Sequence, residues 1–497
     1  MKKVVSLIFL AFLVSSSFAQ FRSLEKRKHS VNKLLKQISA FPDFKTAGFA
    51  FYAIDLNSGE TIASINPDMA LKPASTLKLL STATALELLG PDYQFETDLE
   101  FSGEIDKTAH LLEGSIFING GGDPTLGSKY FDATKEKQFI DEWTNAIGQL
   151  GIDSIAGGVI ADARAFSWDI VPPAWSWMNM GNYYGAGPCG LSVYDNYYTV
   201  LFNTGEQVGD STEVAAVSPE TTELKFDNAV TSDSISYDNA YIYGAPYSKR
   251  RYVRGQLPLS KENFGVKGSM PDPALVAALE LDVALRGMEI ATTQSATTIR
   301  RLQMQNKVAN EQRTKLFTTY SPPLSKIIAQ TNIHSINLFA EHCLIAAGID
   351  LGAAPETVIA IDSVVSFWKI KGMDTQGMSL NDGSGLSQYN AINPKQMVFL
   401  LKYMKLESEY FKAFYNSMAI AGESGTVKNM FKESIAEGNL RVKSGTINKV
   451  KAYAGYVTSE SGREIAFSMV VNNFSCTSRE ARAKLEELMI ALAEFKK

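Results

Sequence analysis

The segment KPASTLKLL, Lys72 to Leu80, sets Ser75 three residues ahead of Lys78 and continues into apolar residues. A serine hydroxyl attacks an acyl carbon when a base takes its proton, and a lysine amine can be that base once burial lowers its pKa. The same spacing recurs at Ser23 with Lys26 and at Ser30 with Lys33, so spacing alone does not decide. Those two pairs lie in a polar, charged stretch, where a lysine stays a hydrated cation near its ordinary pKa. Ser75 falls in the first turn of a helix opened by Pro73 and stopped at Gly90. Free backbone N–H groups and the helix dipole there favour a developing oxyanion. Lys78 sits one turn on, on the same face, and the helix carries apolar residues around most of its circumference. The competing reading makes Ser75 a helix cap and Lys78 a side chain reaching to water.

Two further patterns bear on the choice. Lys443-Ser444-Gly445-Thr446, in RVKSGTINK, is the only Lys-[Ser/Thr]-Gly in the chain and ends an expected strand. Its lysine supplies charge for a carboxylate, Ser444 and Thr446 supply directional hydrogen bonds, and Gly445 permits close approach of a substrate backbone. Ser-x-Asn occurs at Ser30, Ser64, Ser335 and Ser379, but only Ser335-Ile336-Asn337 opens a long apolar helix ahead of the Lys443 strand. DGSGLS, Asp382 to Ser387, reads as a tight glycine-rich loop beside the site. His334 adjoins Ser335, yet four histidines and no G-x-S-x-G elbow speak against a Ser-His-Asp triad, and His334 reads as structural. No H-E-x-x-H occurs, and neither a metal nor a cofactor is expected.

These residues need a frame to bring them together. TAGFAFYAIDLNSGETIASINPD reads as a strand, a turn at Asn57-Ser58-Gly59 and a second strand. From Thr97 to Ala309 the texture becomes mainly β, with one helix from Asp272 to Gly287. The end of the chain reads as strands near Leu440–Ser444, Ala452–Thr458 and Glu464–Val471, then a helix at the capping pattern Thr477-x-x-Glu480. Leu485, Leu488, Ile490 and Leu492 give that helix an apolar side, and its interspersed charges favour docking on the sheet over binding lipid. The expected architecture is one α/β (α+β) domain built from both ends of the chain, with a β-rich block inserted.

Composition sets outer limits. A chain of 497 residues is too long for a single ordinary core. Its first residues, MKKVVSLIFLAFLVSSSFAQ, read as a secretory signal peptide over residues 1–19, cleaved before Gln20. Loss of Lys2 and Lys3 takes the net charge from −5 to −7, which disfavours nucleic acid as a partner. Arg22, Lys26, Arg27 and Lys28 read as a solvated helix face. Cys189, Cys343 and Cys476 lie far apart, so disulfides do not organise the fold.

Taken in order, Ser75-Thr76-Leu77-Lys78, Ser335-Ile336-Asn337 and Lys443-Ser444-Gly445-Thr446 resemble the three motifs of the penicillin-recognising serine enzymes. NGGGDPTL, SPPLSKIIAQTNIHSINLFAEHCL, LNDGSGLSQYN and the long gap between the first two motifs narrow the resemblance. They are similar to the D-alanyl-D-alanine carboxypeptidase/endopeptidase family of low-molecular-mass class C penicillin-binding proteins, peptidase family S13. The resemblance implies a penicillin-binding, β-lactamase-like transpeptidase fold, an antiparallel sheet flanked by helices and interrupted by inserted β-rich domains. On this basis the peptidase domain comprises 20–95 and 310–497, a second domain 96–194 and 265–309, and a nested third 195–264. By the same resemblance Ser75 is the acylated nucleophile and Lys78 its base. Ser335 and Lys443 relay a proton to the leaving D-alanine, and Asn337 holds the substrate backbone. The N–H groups of Ser75 and Thr446 form the oxyanion hole. Lys443, Ser444 and Thr446, with Gly445 between them, bind the terminal carboxylate. The implied partners are peptidoglycan stem peptides in the periplasm, with β-lactam antibiotics as covalent inhibitors. In AWSWMNMGNYY, Asn179 stands where the family often has an aspartate that binds the amino end of the stem's diamino acid, which puts charged recognition there in doubt. The competing functions are a β-lactamase, against which the large insertion speaks, and a non-catalytic wall-binding or penicillin-sensing module.

Overall fold

The computed structural model describes residues 31–220, 224–307 and 312–496. The signal segment 1–19, the basic cluster from Arg22 to Lys28 and both Ser23 and Ser30 lie outside these residues.

Six strands form one antiparallel sheet. They are β1 (Gly48–Asp55), β2 (Thr61–Ile65), β3 (Ala419–Ile420), β4 (Arg441–Ile447), β5 (Val450–Thr458) and β6 (Glu464–Asn472), in the order β3-β4-β5-β6-β1-β2. The two ends of the chain meet where β1 pairs with β6, Phe51 opposite Met469. The β1–β2 turn forms as expected: the Asp55 carboxylate accepts the N–H groups of Asn57 and Ser58, and Gly59 takes φ 72°. Strand periodicity then divides the side chains between two cores. In β5, Ala454 and Tyr456 enter one, and Tyr453 and Val457 the other.

The first core is covered by α1 (Lys78–Leu89), α2 (Leu324–His334), α3 (Asn337–Asp350), α4 (Thr357–Ile370) and α5 (Pro394–Leu406). The second is covered by the helical residues 31–39 and by α6 (Ser478–Ala493). Thr477 and Glu480 close the capping box that starts α6. Leu485, Leu488, Met489 and Leu492 of α6 are fully buried against the sheet, each worth about 1.5–3 kcal/mol. Among the described residues no helix is long and apolar enough to cross a membrane.

The strands between Glu96 and Tyr320 belong to four smaller sheets with two cores of their own. The helix expected there spans Pro273–Gly287, capped by the Asp272 carboxylate. Strand Arg313–Tyr320 pairs with Glu96–Ser102, and Phe264–Ser269 pairs with Tyr197–Asn203. We therefore read the inserted region as reaching Tyr320 and its nested unit Ser269, past the limits of 309 and 264 expected from the sequence. Pairing between strands so distant in the chain leaves no local mark. All three cysteines are buried and free.

Candidate active site

The helix expected from Pro73 to Gly90 begins differently from its sequence reading. Ala74–Leu77 form a 3-10 turn, and the α-helix proper starts at Lys78. Ala74 takes φ 46°, an uncommon left-handed conformation for a residue with a Cβ. Ser75 thus sits on a sharp corner where the chain leaves Pro73 and enters α1. Helix α1 is buried along nearly its whole length, which leaves Lys78 with no exposed surface.

Lys78 Nζ lies 3.0 Å from Ser75 Oγ, 2.6 Å from Asn337 Oδ1 and 2.7 Å from the Ser384 carbonyl oxygen. Burial lowers its pKa to about 7, against the opposing pull of the Asp382 and Glu341 carboxylates. The carbonyls of Asn337 and Ser384 can only accept. A neutral Lys78 that donates to both turns its lone pair toward the Ser75 hydroxyl, the arrangement a base requires.

The sequence pattern places Ser335 at the start of a helix, whereas the structure places it at a break between two. Ser335 ends α2 in a left-handed conformation (φ 61°, ψ 42°), Ile336 follows as an extended link, and Asn337 begins α3. The break turns Ser335 Oγ toward Lys443 Nζ, 2.9 Å away. Lys443 lies in β4 with no exposed surface and also donates to its neighbour's carbonyl, Ser444 O, at 2.8 Å. Burial, and then the charge of Lys78, hold its amine well below the usual lysine range. Asn337 Nδ2 donates to the Tyr184 carbonyl at 2.7 Å, so both ends of this amide are held by the protein.

Ser75, Asn179, Ser335, Asn337 and Thr446 line one cleft of about 510 Å³. Tyr130, Tyr183, Tyr184, Tyr197 and Tyr241 supply aromatic wall. Ser444 is turned aside to Thr426, Oγ to Oγ1 2.7 Å, and Thr446 Oγ1 accepts from Lys451 at 3.0 Å. Gly445 packs on the segment that carries Ser75: a Cβ there would stand 2.7 Å from Pro73 O and 3.0 Å from Ser75 N. Its lack of a side chain therefore serves the approach of β4 to Ser75, where the sequence suggested the approach of a substrate. His334 lies at the mouth against Tyr130, ring centres 5.3 Å apart, with no hydrogen bond to a carboxylate among the described residues. Ser366 and Lys369 share the Ser-x-x-Lys spacing on α4, but both are exposed and neither lines this cleft.

The sequence reading missed the carboxylates beneath the site. Glu341, fully buried, accepts from Gly383 N at 2.9 Å and Ser384 N at 2.8 Å, and burial raises its pKa. Asp382 accepts from Trp175 Nε1, Gly385 N, Ser387 N and Asn390 Nδ2 at 2.6–2.8 Å. Together they fix the loop whose Ser384 carbonyl holds Lys78. A signal was present: Glu341 lies four residues after Asn337, on the same face of a helix with few other charges.

The model of the D-Ala-D-Ala carboxypeptidase 3 (S13) family matches residues 31–495. This chain belongs to the S13 family. Its relatives include the D-alanyl-D-alanine carboxypeptidase of Actinomadura sp. (strain R39), 28% identical over 91% of this chain and 82% of that protein. The D-alanyl-D-alanine carboxypeptidase DacB of Haemophilus influenzae is 23% identical over 98% of this chain and 97% of its own. The crystal structure of penicillin binding protein 4 (dacB) from Haemophilus influenzae superposes on the S13 chain with TM-score 0.76, at 22% identity, over 91% of this chain and 97% of that one. The same protein complexed with a novel beta-lactam gives TM-score 0.73, at 21% identity, over 94% and 99%. The mixed α/β penicillin-binding fold expected from the sequence is the fold observed.

Proposed function

We propose that this S13 protein is a secreted, periplasmic serine D,D-peptidase acting on peptidoglycan stem peptides through an acyl-enzyme on Ser75. The observation that carries the reading is Ser75 Oγ at 3.0 Å from the buried amine of Lys78. Lys78 takes the Ser75 proton as Oγ attacks the carbonyl carbon of the penultimate D-alanine. The N–H groups of Ser75 and Thr446 receive the oxyanion. Through Ser335 and Lys443, already hydrogen-bonded, the proton that Lys78 took is relayed to the departing amine of the terminal D-alanine as the C–N bond breaks, which leaves Lys78 neutral again. Lys78 then takes a proton from the water that attacks the ester and hands it to Ser75 Oγ as the ester C–O bond breaks, which regenerates Ser75. Where a second stem supplies the departing amine, the same steps cut a D-Ala cross-bridge.

Two assignments read from the sequence take a different form in this chemistry. Asn337 is first a positioning residue, since its amide joins Lys78 to Tyr184, and it reaches a substrate only by exchanging one of these bonds. Substrate carboxylate recognition centres on Thr446, with the Lys451 cation beside it and Lys443 and Ser444 behind. Asn179 contributes a neutral amide to the cleft wall. A β-lactam presents the same acyl carbon and acylates Ser75, and family membership favours a peptidase over a β-lactamase or a non-catalytic module.

Labelling with a fluorescent penicillin followed by peptide mass mapping tests this. The adduct is expected on Ser75, and Ser75→Ala is expected to abolish both labelling and release of D-alanine from an acyl-D-Ala-D-Ala peptide. An adduct on another residue, or unchanged release by Ser75→Ala, overturns the reading.

A further inference from the structure

Met178, Tyr183 and Tyr241 line the cleft and remain exposed at its outer lip. Tyr241 belongs to Asn239–Tyr243, an edge strand of the nested three-stranded sheet, beside Arg250–Pro258. Along these strands Ile242 and Val253 turn inward and are fully buried. Strand alternation puts Tyr241, Tyr243, Arg250, Tyr252 and Arg254 on the opposite, outer face. The register sets Tyr241 opposite Arg254 and Tyr243 opposite Tyr252. The Arg250 and Arg254 guanidinium carbons stand 5.3 and 6.0 Å from the centre of the Tyr252 ring. Trp177, 47% exposed, stacks on Tyr243 with centres 6.1 Å apart and planes 28° from parallel. A row of rings and guanidinium planes therefore continues from the catalytic cleft across the outer face of this sheet. Asp227 faces both arginines at 3.8 and 3.6 Å and offsets only part of their charge, in a chain whose net charge is −5.

Contiguous exposed aromatic surface that joins a catalytic cleft marks a place where a ligand extends beyond the reacting group. The occupant must be long, must present flat apolar faces to rings, and must offer hydroxyls or carboxylates to arginines. A pyranose ring has an apolar face of C–H bonds and a rim of hydroxyls, and the stem peptides borne by a glycan carry carboxylates. We propose that the outer face from Tyr241 to Tyr252 and Arg254, with Trp177, is a second substrate-binding surface that takes the glycan strand of the polymer whose stem peptide enters the cleft. This inference rests on the proposed peptidase reading of the cleft. It predicts a preference for polymeric over short substrates that is separable from the chemistry at Ser75.

The test compares wild type with Tyr252→Ala/Arg254→Ala on three substrates: an acyl-D-Ala-D-Ala peptide, a fluorescent penicillin and insoluble peptidoglycan. With the first two the variant is expected to match wild type within about twofold, which also shows that it is folded. Release of D-alanine from insoluble peptidoglycan is expected to fall by about tenfold or more, together with cosedimentation of the protein with it. Arg250→Ala/Arg254→Ala, confined to exposed side chains, is expected to show the same selective loss and serves if the first variant fails to fold. Variants that hydrolyse and bind the insoluble polymer like wild type overturn this proposal and leave the cleft chemistry standing. A wild type that neither binds penicillin nor cleaves the short peptide overturns the peptidase reading instead.

Discussion

At the residue scale, the site depends on an amine whose pKa burial lowers to about 7, with no counter-ion in contact. Every atom within hydrogen-bond reach of Lys78 Nζ is neutral, and the Asp382 and Glu341 carboxylates act on it through space. Below about pH 7 the amine holds a proton and cannot take another from Ser75. The penicillin acylation rate is therefore expected to climb about tenfold per pH unit up to about 7 and then level off, as stopped-flow acylation across pH 5 to 9 would show. A flat profile would remove Lys78 as the base. Burial raises the Glu341 pKa to about 8, so near pH 7 it carries only part of a charge, and Glu341→Gln should move the inflection only slightly to lower pH. The glutamine also sets its own N–H group against the Gly383 and Ser384 N–H groups, loosening the loop that holds Lys78. The plateau rate should fall on the order of 10²-fold. A variant with a lower plateau but an unmoved inflection would show Glu341 acting through the loop alone. Ser75, Lys78, Ser335, Asn337 and Lys443 were legible because their residue types carry chemistry at fixed local spacings. The Ser384 carbonyl and the Tyr184 carbonyl were not, because any residue type supplies a backbone carbonyl and only the fold selects which one arrives.

At the element scale, the proposed catalytic groups sit on irregularities: the left-handed Ala74 ahead of α1 and the left-handed Ser335 between α2 and α3. Two glycines let neighbouring segments close on the first of these. A Cβ on Gly385 would lie 1.9 Å from Ala74 O, and one on Gly445 would meet Pro73 O and Ser75 N. Gly445→Ala forces β4 and the nucleophile turn apart inside a packed interior, at a cost of about 1–3 kcal/mol. Because the displaced atoms include the backbone of Ser75, acylation should fall by at least about tenfold, a larger loss than the stability change implies. Thermal denaturation alongside penicillin labelling separates the two, and full labelling by a destabilised variant would contradict this account. The last two strands of the central sheet were readable as short apolar runs separated by a turn, and the start of α6 from its capping box, which are local signals. The break at Ser335 was only half readable: the pattern marks a helix that starts there, and nothing local shows that Ser335 also closes the preceding helix in a left-handed conformation.

At the scale of the whole molecule, the inserted region builds one wall of the cleft. It supplies Tyr184 O to Asn337 and Trp175 Nε1 to Asp382, and it grips α3 through His342. The texture change near Thr97 suggested an inserted block, and which side of the site these residues line depends on contacts 150–220 residues apart in sequence. His342 is fully buried there. Its Nδ1 lies 2.7 Å from the Gly122 carbonyl, an acceptor only, so Nδ1 carries the proton and Nε2 is free to accept from Cys189 N at 3.4 Å. Burial lowers its pKa from 6.5 to about 4. The sign follows from proton counting: between those values the unfolded chain binds a proton that the folded protein refuses, so falling pH favours unfolding. The stability held above pH 6.5 should drop by about 2 kcal/mol at pH 5 and about 3 kcal/mol at pH 4 from this group alone. Carboxylates titrate in the same range, so the discriminating measurement is a difference. His342→Gln should be less stable than wild type at pH 7, because the imidazole packing is lost, and that deficit should shrink toward pH 4.5 in denaturant titrations. The inserted region should loosen first in wild type, seen as faster amide exchange around Gly122 and Cys189 than in the central sheet. A deficit that stays constant with pH would mean that the imidazole is protonated in the folded state and that the contact between insertion and catalytic helix is insensitive to acid.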